Sequence, residues 1–317
     1  MQFLKNPNFD FVGRGPLCLG ISALLVLASL ALVLRPKGVR YGVEFEGGTQ
    51  VIAKFEKPPA IDRIRDAVEK NHHGATIQTF GLPESNQVLI RVGTVGEGEV
   101  ELASTAEAVL KALATDYSEN PVKETSTEIV GAVVGKELRD KAVVLTVVGL
   151  VFQLIYIWWR FKGPVWGSAA TIAVFHDVII TLGLLALFKY EITLNVIAAL
   201  LTLVGYSVND TIVLFDRVRE NLRQRRKEPL SKIINDSVNQ TLSRTLISNG
   251  TTFLTVFGLF WFGGEVFRGF GFAMVVGVLV GTYSTVYIAS PIVIWWHRFS
   301  GKGATAGTGA SAVKAAL

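Results

Sequence analysis

Cysteine is almost missing from this chain. Cys18 is the only one among 317 residues, so no intrachain disulfide can hold the fold, and a single thiol leaves the redox compartment unmarked. Charge is scarce too: 18% of residues are Asp, Glu, Lys or Arg against 50% hydrophobic, with a mean hydropathy of +0.42. That balance suits a polytopic membrane protein, whose apolar surface lipid covers, better than a soluble domain. The groups an enzyme needs are also lacking. There is no phosphate loop, no metal-spaced Cys/His set and no nucleophile beside a base. His72 and His73 are adjacent, point apart on a helix and have no third ligand, which makes them a solvated helix end. The net charge of +5 does not form a nucleic-acid patch, because the basic residues fall beside the ends of hydrophobic runs.

Six such runs are present, at about 15–34, 142–159, 164–188, 192–215, 245–262 and 270–296. Each is near the roughly 20 residues that cover about 30 Å of hydrocarbon at helical rise, so we expect six transmembrane helices. The first run lacks a cleavage site and is expected to stay as a helix rather than leave as a signal peptide. Lys5 and Arg14 precede it, Arg160 and Lys162 join the second and third, and Arg217, Arg219, Arg223, Arg225, Arg226, Lys227 and Lys232 lie between the fourth and fifth. The opposite short loops hold only Lys189 and Arg268. An excess of positive charge on the cytoplasmic side predicts cytoplasmic termini, with Arg35 to Lys141 outside.

That outer segment predicts strand Val39 to Phe55 with a Gly47-Gly48 break, helix Ile61 to Lys70, strands Thr76 to Phe80 and Gln87 to Val92, helix Val100 to Thr115 and strand Val122 to Val130. The order β-α-β-β-α-β is that of a ferredoxin-like α+β domain. The division expected is therefore 1–34 for the N-terminus and first span, 35–141 for the extracytoplasmic α+β domain and its hinge at Gly131 to Lys141, and 142–299 for the remaining five spans. Within the last, 216–240 is expected as an amphipathic segment on the anionic inner leaflet, and the Gly/Ala/Ser/Thr-rich tail 300–317 as disordered.

Three side chains do not belong in hydrocarbon: Asp177, Asp210 and Arg244. At about 100° per residue, Asn195, Thr202, Tyr206, Asn209 and Asp210 share an arc of roughly 100° on the fourth span. Gln240, Arg244, Ser248, Thr251 and Thr255 follow steps of four, four, three and four along the fifth. Arg244 could snorkel to the near interface, and Ser248, Thr251 and Thr255 suit packing between helices. Asp210 is harder to set aside, since a short carboxylate two turns inside must be protonated, paired or wetted. Those are the states of a proton relay, and Asp210 with Arg244 is the expected relay pair. Asn209, Tyr206, Gln240, Ser248, Thr251, His176 and Asp177 are expected as supporting polar groups, the last two as a contact rather than a second relay.

The string Gly205-Tyr206-Ser207-Val208-Asn209-Asp210-Thr211, continuing to Asn221, resembles the fourth-span signature of the SecF branch of the SecD/SecF family, within the RND superfamily. Asn239-Gln240-Thr241-Leu242-Ser243-Arg244-Thr245, Phe45-Glu46-Gly47-Gly48-Thr49, Val134-Gly135-Lys136-Glu137-Leu138, His176-Asp177 and Gly281-Thr282-Tyr283-Ser284 extend the likeness over nearly the whole chain. Glu44 stands where the family usually has Asp, and Ala132 where it often has Pro. The resemblance implies an accessory subunit of bacterial protein export in the cytoplasmic membrane, working with SecD, the SecYEG channel and YajC on a translocating preprotein. It implies the proton gradient as energy source and no cofactor. Two other readings stand beside it: a small-molecule or lipid exporter of the superfamily, and a structural scaffold whose polar stripes are helix glue.

Overall fold

The computed structural model describes residues 7–36, 38–70, 72, 75–80, 83–93, 99–161 and 164–299. Lys5, His73, Lys162 and the tail 300–317, named above, lie outside the described residues. Among the described residues, six helices are long and apolar enough to cross a membrane: α1 (Gly15–Leu34), α5 (Ala132–Phe161), α6 (Pro164–Leu187), α7 (Leu194–Gln224), α8 (Leu230–Phe262) and the pair α9 (Gly264–Ser284) and α10 (Ser290–Phe299), joined by a π turn at Thr285–Ala289. Between α1 and α5 lie β1 (Arg40–Tyr41), α2 (Val43–Glu46), β2 (Gly48–Phe55), α3 (Ile61–Glu69), β3 (Thr76–Phe80), β4 (Gln87–Val92), α4 (Glu99–Asp116) and β5 (Val122–Val130). The chain is thus a polytopic α-helical membrane protein with one α+β domain inserted after its first span.

The domain has the antiparallel sheet order β3-β4-β2-β5, which is ferredoxin-like. Alternate residues of β2 (Val51, Ala53, Phe55) and β4 (Val88, Ile90, Val92) point to one face, where Ile64 and Val68 of α3 and Val109 and Leu113 of α4 bury them. The first part of the expected strand does not join this sheet. Gly47 and Gly48 take φ of 74° and 126°, which an L side chain resists, and their turn separates β2 from α2. Upstream of it, β1 pairs in parallel with β6 (Glu191–Ile192), in the loop between α6 and α7. Period-2 patterning shows that a strand exists but not which strand it pairs with, and that is why the sequence joined the two. Gly135 of α5 packs on the same turn, where a Cβ would lie 3.1 Å from the Gly47 nitrogen.

In the bundle, α6, α7 and α9–α10 are the inner elements, while α1, α5 and α8 leave most of their surface outward. Lipid tails give helices no apolar drive to associate, so close approach rests on small residues. Ala169, Ala170 and Ala173 of α6 are fully buried, and Gly183 meets Ser29 of α1 so tightly that a Cβ would sit 2.3 Å from the serine Cβ. The π turn precedes Pro291, whose missing N–H breaks the regular ladder; the Ser290 hydroxyl meets the Thr285 carbonyl at 3.2 Å.

Two helices outrun the hydrophobic runs that predicted them. At 31 and 33 residues, α7 and α8 are about 46 and 50 Å long against about 30 Å of hydrocarbon. Their excess forms a helical hairpin around a turn at 225–229, which corrects the single amphipathic segment 216–240. Val218 and Ile233, apolar residues of that segment, are fully buried in protein. Asn221 donates to Ser237 (2.8 Å) and Gln240 (2.9 Å), Arg225 pairs with Asp236 at 2.7 Å, and Arg160 of α5 pairs with Asp216. The N-terminal segment is fastened to the same end: Asn235 and Asn239 accept from the backbone of Phe9 and Phe11 and donate to the Phe9 carbonyl.

Candidate functional site

Asp210 lies on the inner side of α7 and is only 7% exposed. Its partner is Asn249 of α8, whose amide Nδ2 donates to Oδ2. The same amide donates to Thr282 Oγ1 of α9 at 2.5 Å, and its Oδ1 accepts the Tyr206 hydroxyl at 2.7 Å. Three helices therefore meet at one buried amide. Asn249 carries no plain mark of its role in the sequence, because it sits one residue off the Arg244, Ser248, Thr251 ridge and an amide in a membrane helix reads as packing glue. The signal available was its i+5 offset from Arg244, which sets it toward the neighbouring helices instead of along the ridge.

No ion pair joins Arg244 to Asp210 in this conformer, although the Arg244 charge acts on the carboxyl. Arg244 is exposed, in line with Gln240, Ser248, Thr251 and Thr255, which are exposed as well. Thr202 and Asn209 of α7 are also exposed, seven residues apart and so on one face, with exposed Gly205 between them and exposed Ala198 one turn before. The arc predicted on α7 thus straddles a boundary. Tyr206 and Asp210 turn toward α8 and α9, whereas Thr202 and Asn209 face out.

Gln240 belongs to the helical hairpin, where it accepts from Arg217 Nε at 2.6 Å and from Asn221. Thr251 returns its hydroxyl to the Ile247 and Ser248 carbonyls of its own helix. The Ser248 carbonyl also receives the Tyr206 hydroxyl at 3.5 Å.

His176 and Asp177 form a separate cluster, enclosed by α1, α6, α7 and α9. Asp177 Oδ2 accepts the hydroxyls of Ser207 (2.6 Å) and Ser284 (2.7 Å), and Oδ1 meets His176 Nδ1 at 2.9 Å. The carboxyl is fully buried and both oxygens are engaged. The His176 ring stacks on Tyr283, whose hydroxyl reaches the Cys18 carbonyl of α1 at 2.8 Å. Such a network ties four helices together in a medium where an unpaired polar group costs several kilocalories.

The two acids differ in completeness. A hydrogen bond to a charged group is worth about 1.5–3 kcal/mol, less than the several kcal/mol that isolating an ion from water costs. The single amide on Asp210 therefore leaves an ionised form short of a partner, and Arg244 is the cation whose charge acts on it. Among the described residues no group of His, Cys, Asp and Glu could hold a metal ion.

The sequence matches two family descriptions, "Protein export membrane protein SecD/SecF, C-terminal" over residues 109–299 and "SecD/SecF GG Motif" over residues 37–59. The chain is 41% identical over 297 residues to the protein translocase subunit SecF of Calditerrivibrio nitroreducens, covering 92% of this chain and 96% of that one. It is 34% identical to the SecF subunit of Koribacter versatilis, covering 96% of each. Among solved structures it is similar to SecDF of Thermus thermophilus, a translocon-associated membrane protein, with a TM-score of 0.81 at 34% identity. The likeness covers 94% of this chain, which spans 40% of that longer one. A super-membrane-facing form of SecDF gives a TM-score of 0.69 at the same identity.

Proposed function

The chain belongs to the SecD/SecF family of protein-export membrane proteins, and from that premise we propose that it is an accessory subunit of Sec-dependent protein export that couples proton passage at Asp210 to late preprotein translocation. The observation that carries the coupling is the incompletely partnered Asp210, buried beside an exposed polar stripe with Arg244 on it. When Asp210 is ionised, attraction to Arg244 favours drawing α7 and α8 together around the pair; when it is neutral, that attraction is gone and the separated arrangement is favoured. A unit charge crossing the membrane field gains about 2.3 kcal/mol per 100 mV, enough to bias such a two-state element by more than tenfold.

The polar stripe supports a partner. Thr202, Asn209, Arg244, Ser248, Thr251 and Thr255 cannot face acyl chains without cost, whereas the outward residues of α1 and α5 (Leu24, Leu27, Leu145, Phe152) can. A six-span counterpart of the SecD type, presenting its own polar face, would cover the stripe. The α+β domain, whose edge strand β5 is exposed along nearly its whole length, is the element suited to an extended preprotein. The Arg/Lys-rich α7–α8 hairpin favours placing the termini in the cytoplasm and the α+β domain outside a bacterial inner membrane. The channel SecYEG and YajC complete the expected assembly, and the proton gradient is its energy source.

The test is export into vesicles carrying an imposed proton gradient, comparing wild type with Asp210→Asn and Arg244→Met. We expect gradient-dependent export to be lost in both, with insertion unchanged. Full gradient-dependent export in Asp210→Asn would leave the polar stripes as packing and remove the proposal.

A further inference from the structure

Asn249 is 5% exposed, and each of its hydrogen-bonding atoms is used. Nδ2 donates to Asp210 Oδ2 and Thr282 Oγ1, and Oδ1 accepts from Tyr206. Thr282 passes its own hydrogen to the Val278 carbonyl at 2.7 Å. Donors thus run one way, from Tyr206 through Asn249 to Asp210 and to the α9 backbone. Reversing the amide would set its carbonyl oxygen against a carboxylate oxygen, so while Asp210 is ionised the network fixes a single orientation. The bond reaches Oδ2 alone; Oδ1 takes no hydrogen bond among the described residues.

We propose that Asn249 is a positioning residue for proton exchange at Asp210: it clamps Oδ2 to α8 and α9 and leaves Oδ1 as the oxygen that gains and loses the proton. This rests on the relay reading of Asp210. The step adds one H⁺ from the aqueous phase to the carboxylate, forming an O–H bond at Oδ1 and a neutral acid; release reverses it. The Asn249 bond survives both forms, because Oδ2 accepts in either.

The clamp also sorts the competitors. Asn249 and Arg244 are five residues apart on α8, about 7.5 Å along the axis and roughly 140° around it. Amide and guanidinium therefore approach the carboxyl from different directions, and Arg244 and the proton compete for Oδ1, the oxygen without a hydrogen bond among the described residues. The titratable groups facing Asp210 among the described residues are Arg244 from α8 and Tyr206 from its own helix, while α9 contributes Thr282, which does not titrate.

Infrared difference spectra of the full chain in lipid, recorded as pH is stepped, test this, with Asp210→Asn marking the Asp210 carbonyl band. Asn249→Leu, similar in size and without hydrogen bonds, is expected to move that band to higher wavenumber and to shift the pH at which it appears. Tyr206→Phe removes only the outermost donor and is expected to broaden the band about an unchanged centre. A band that keeps its position and midpoint in Asn249→Leu overturns the proposal. Where Asn249→Leu does not insert, an unbroadened band in Tyr206→Phe overturns it instead. Export is read in parallel: Asn249→Leu is expected to lower its gradient-driven part, and undiminished export overturns the positioning role even with a moved band. If Asp210→Asn leaves export intact, the relay reading falls by itself, and the infrared arm still reports whether Asn249 holds Asp210. A spectrum in which Asp210→Asn removes no pH-dependent band overturns both.

Discussion

Glu44 stands at the joint between the α+β domain and the bundle, where its Oε2 is buried without a partner beside Gly42. Burial pushes its carboxyl above the ordinary value of 4.5, Glu128 adds to the push, and the Leu194 amide opposes it. The folded state therefore holds this proton more tightly than the unfolded chain does. The joint is most stable below pH 4.5, and stability falls as pH rises from there until the folded carboxyl is fully ionised. Glu44→Gln keeps the shape and removes the charge, so we expect its thermal stability to change less with pH over that window than wild type, measured by unfolding in detergent across a pH series. Residues of this kind divide by legibility. Asp177 and Asp210 were readable because a carboxylate in an apolar run has few innocent explanations. Asn249 was not, because an amide in such a run has many, and only the third dimension shows Asp210, Tyr206 and Thr282 converging on it. Which conformer brings Asp210 and Arg244 together is likewise not written in the sequence: facing ridges establish that two groups can meet, not when they do.

At the scale of elements, hydropathy revealed all six spans because the bilayer sets their minimum length. Their ends escaped it, because the extra turns of α7 and α8 are held by polar contacts such as Asn221 with Ser237 and Arg225 with Asp236. Charge density there was compatible with a lipid-facing helix or with a hairpin, and the burial of Val218 and Ile233 settles the matter. The ferredoxin-like order was readable from alternating strand and helix periods, whereas the departure of β1 to β6 depends on a loop 150 residues away and has no local signature. Helix contact in the bundle makes its own demand at Gly183. Gly183→Val puts a branched side chain where Ser29 already sits, so α1 must shift outward, at an overpacking cost of about 1–3 kcal/mol. We expect a lowered unfolding temperature in detergent and faster protease cleavage between α1 and the α+β domain.

For the whole molecule, the contrast between outward faces matters most. Ser248→Leu with Thr251→Leu changes only exposed side chains of α8, so we expect this double variant to insert and to unfold within a degree or two of wild type, but to lose co-purification with a SecD-type partner. Equal recovery of the partner would mean that another face is used. The short β1–β6 pairing has a mechanical meaning at this scale. The α+β domain is anchored covalently by α1 and α5, and a third time through β6, which runs by way of the Thr193 cap directly into α7. A domain on three moorings cannot swing as a free pendulum. A pull on it either parts β1 and the Arg91–Glu191 ion pair from β6 or is delivered end-on to the helix that carries Asp210, so under the proposed function that clasp would set how much load reaches the carboxyl.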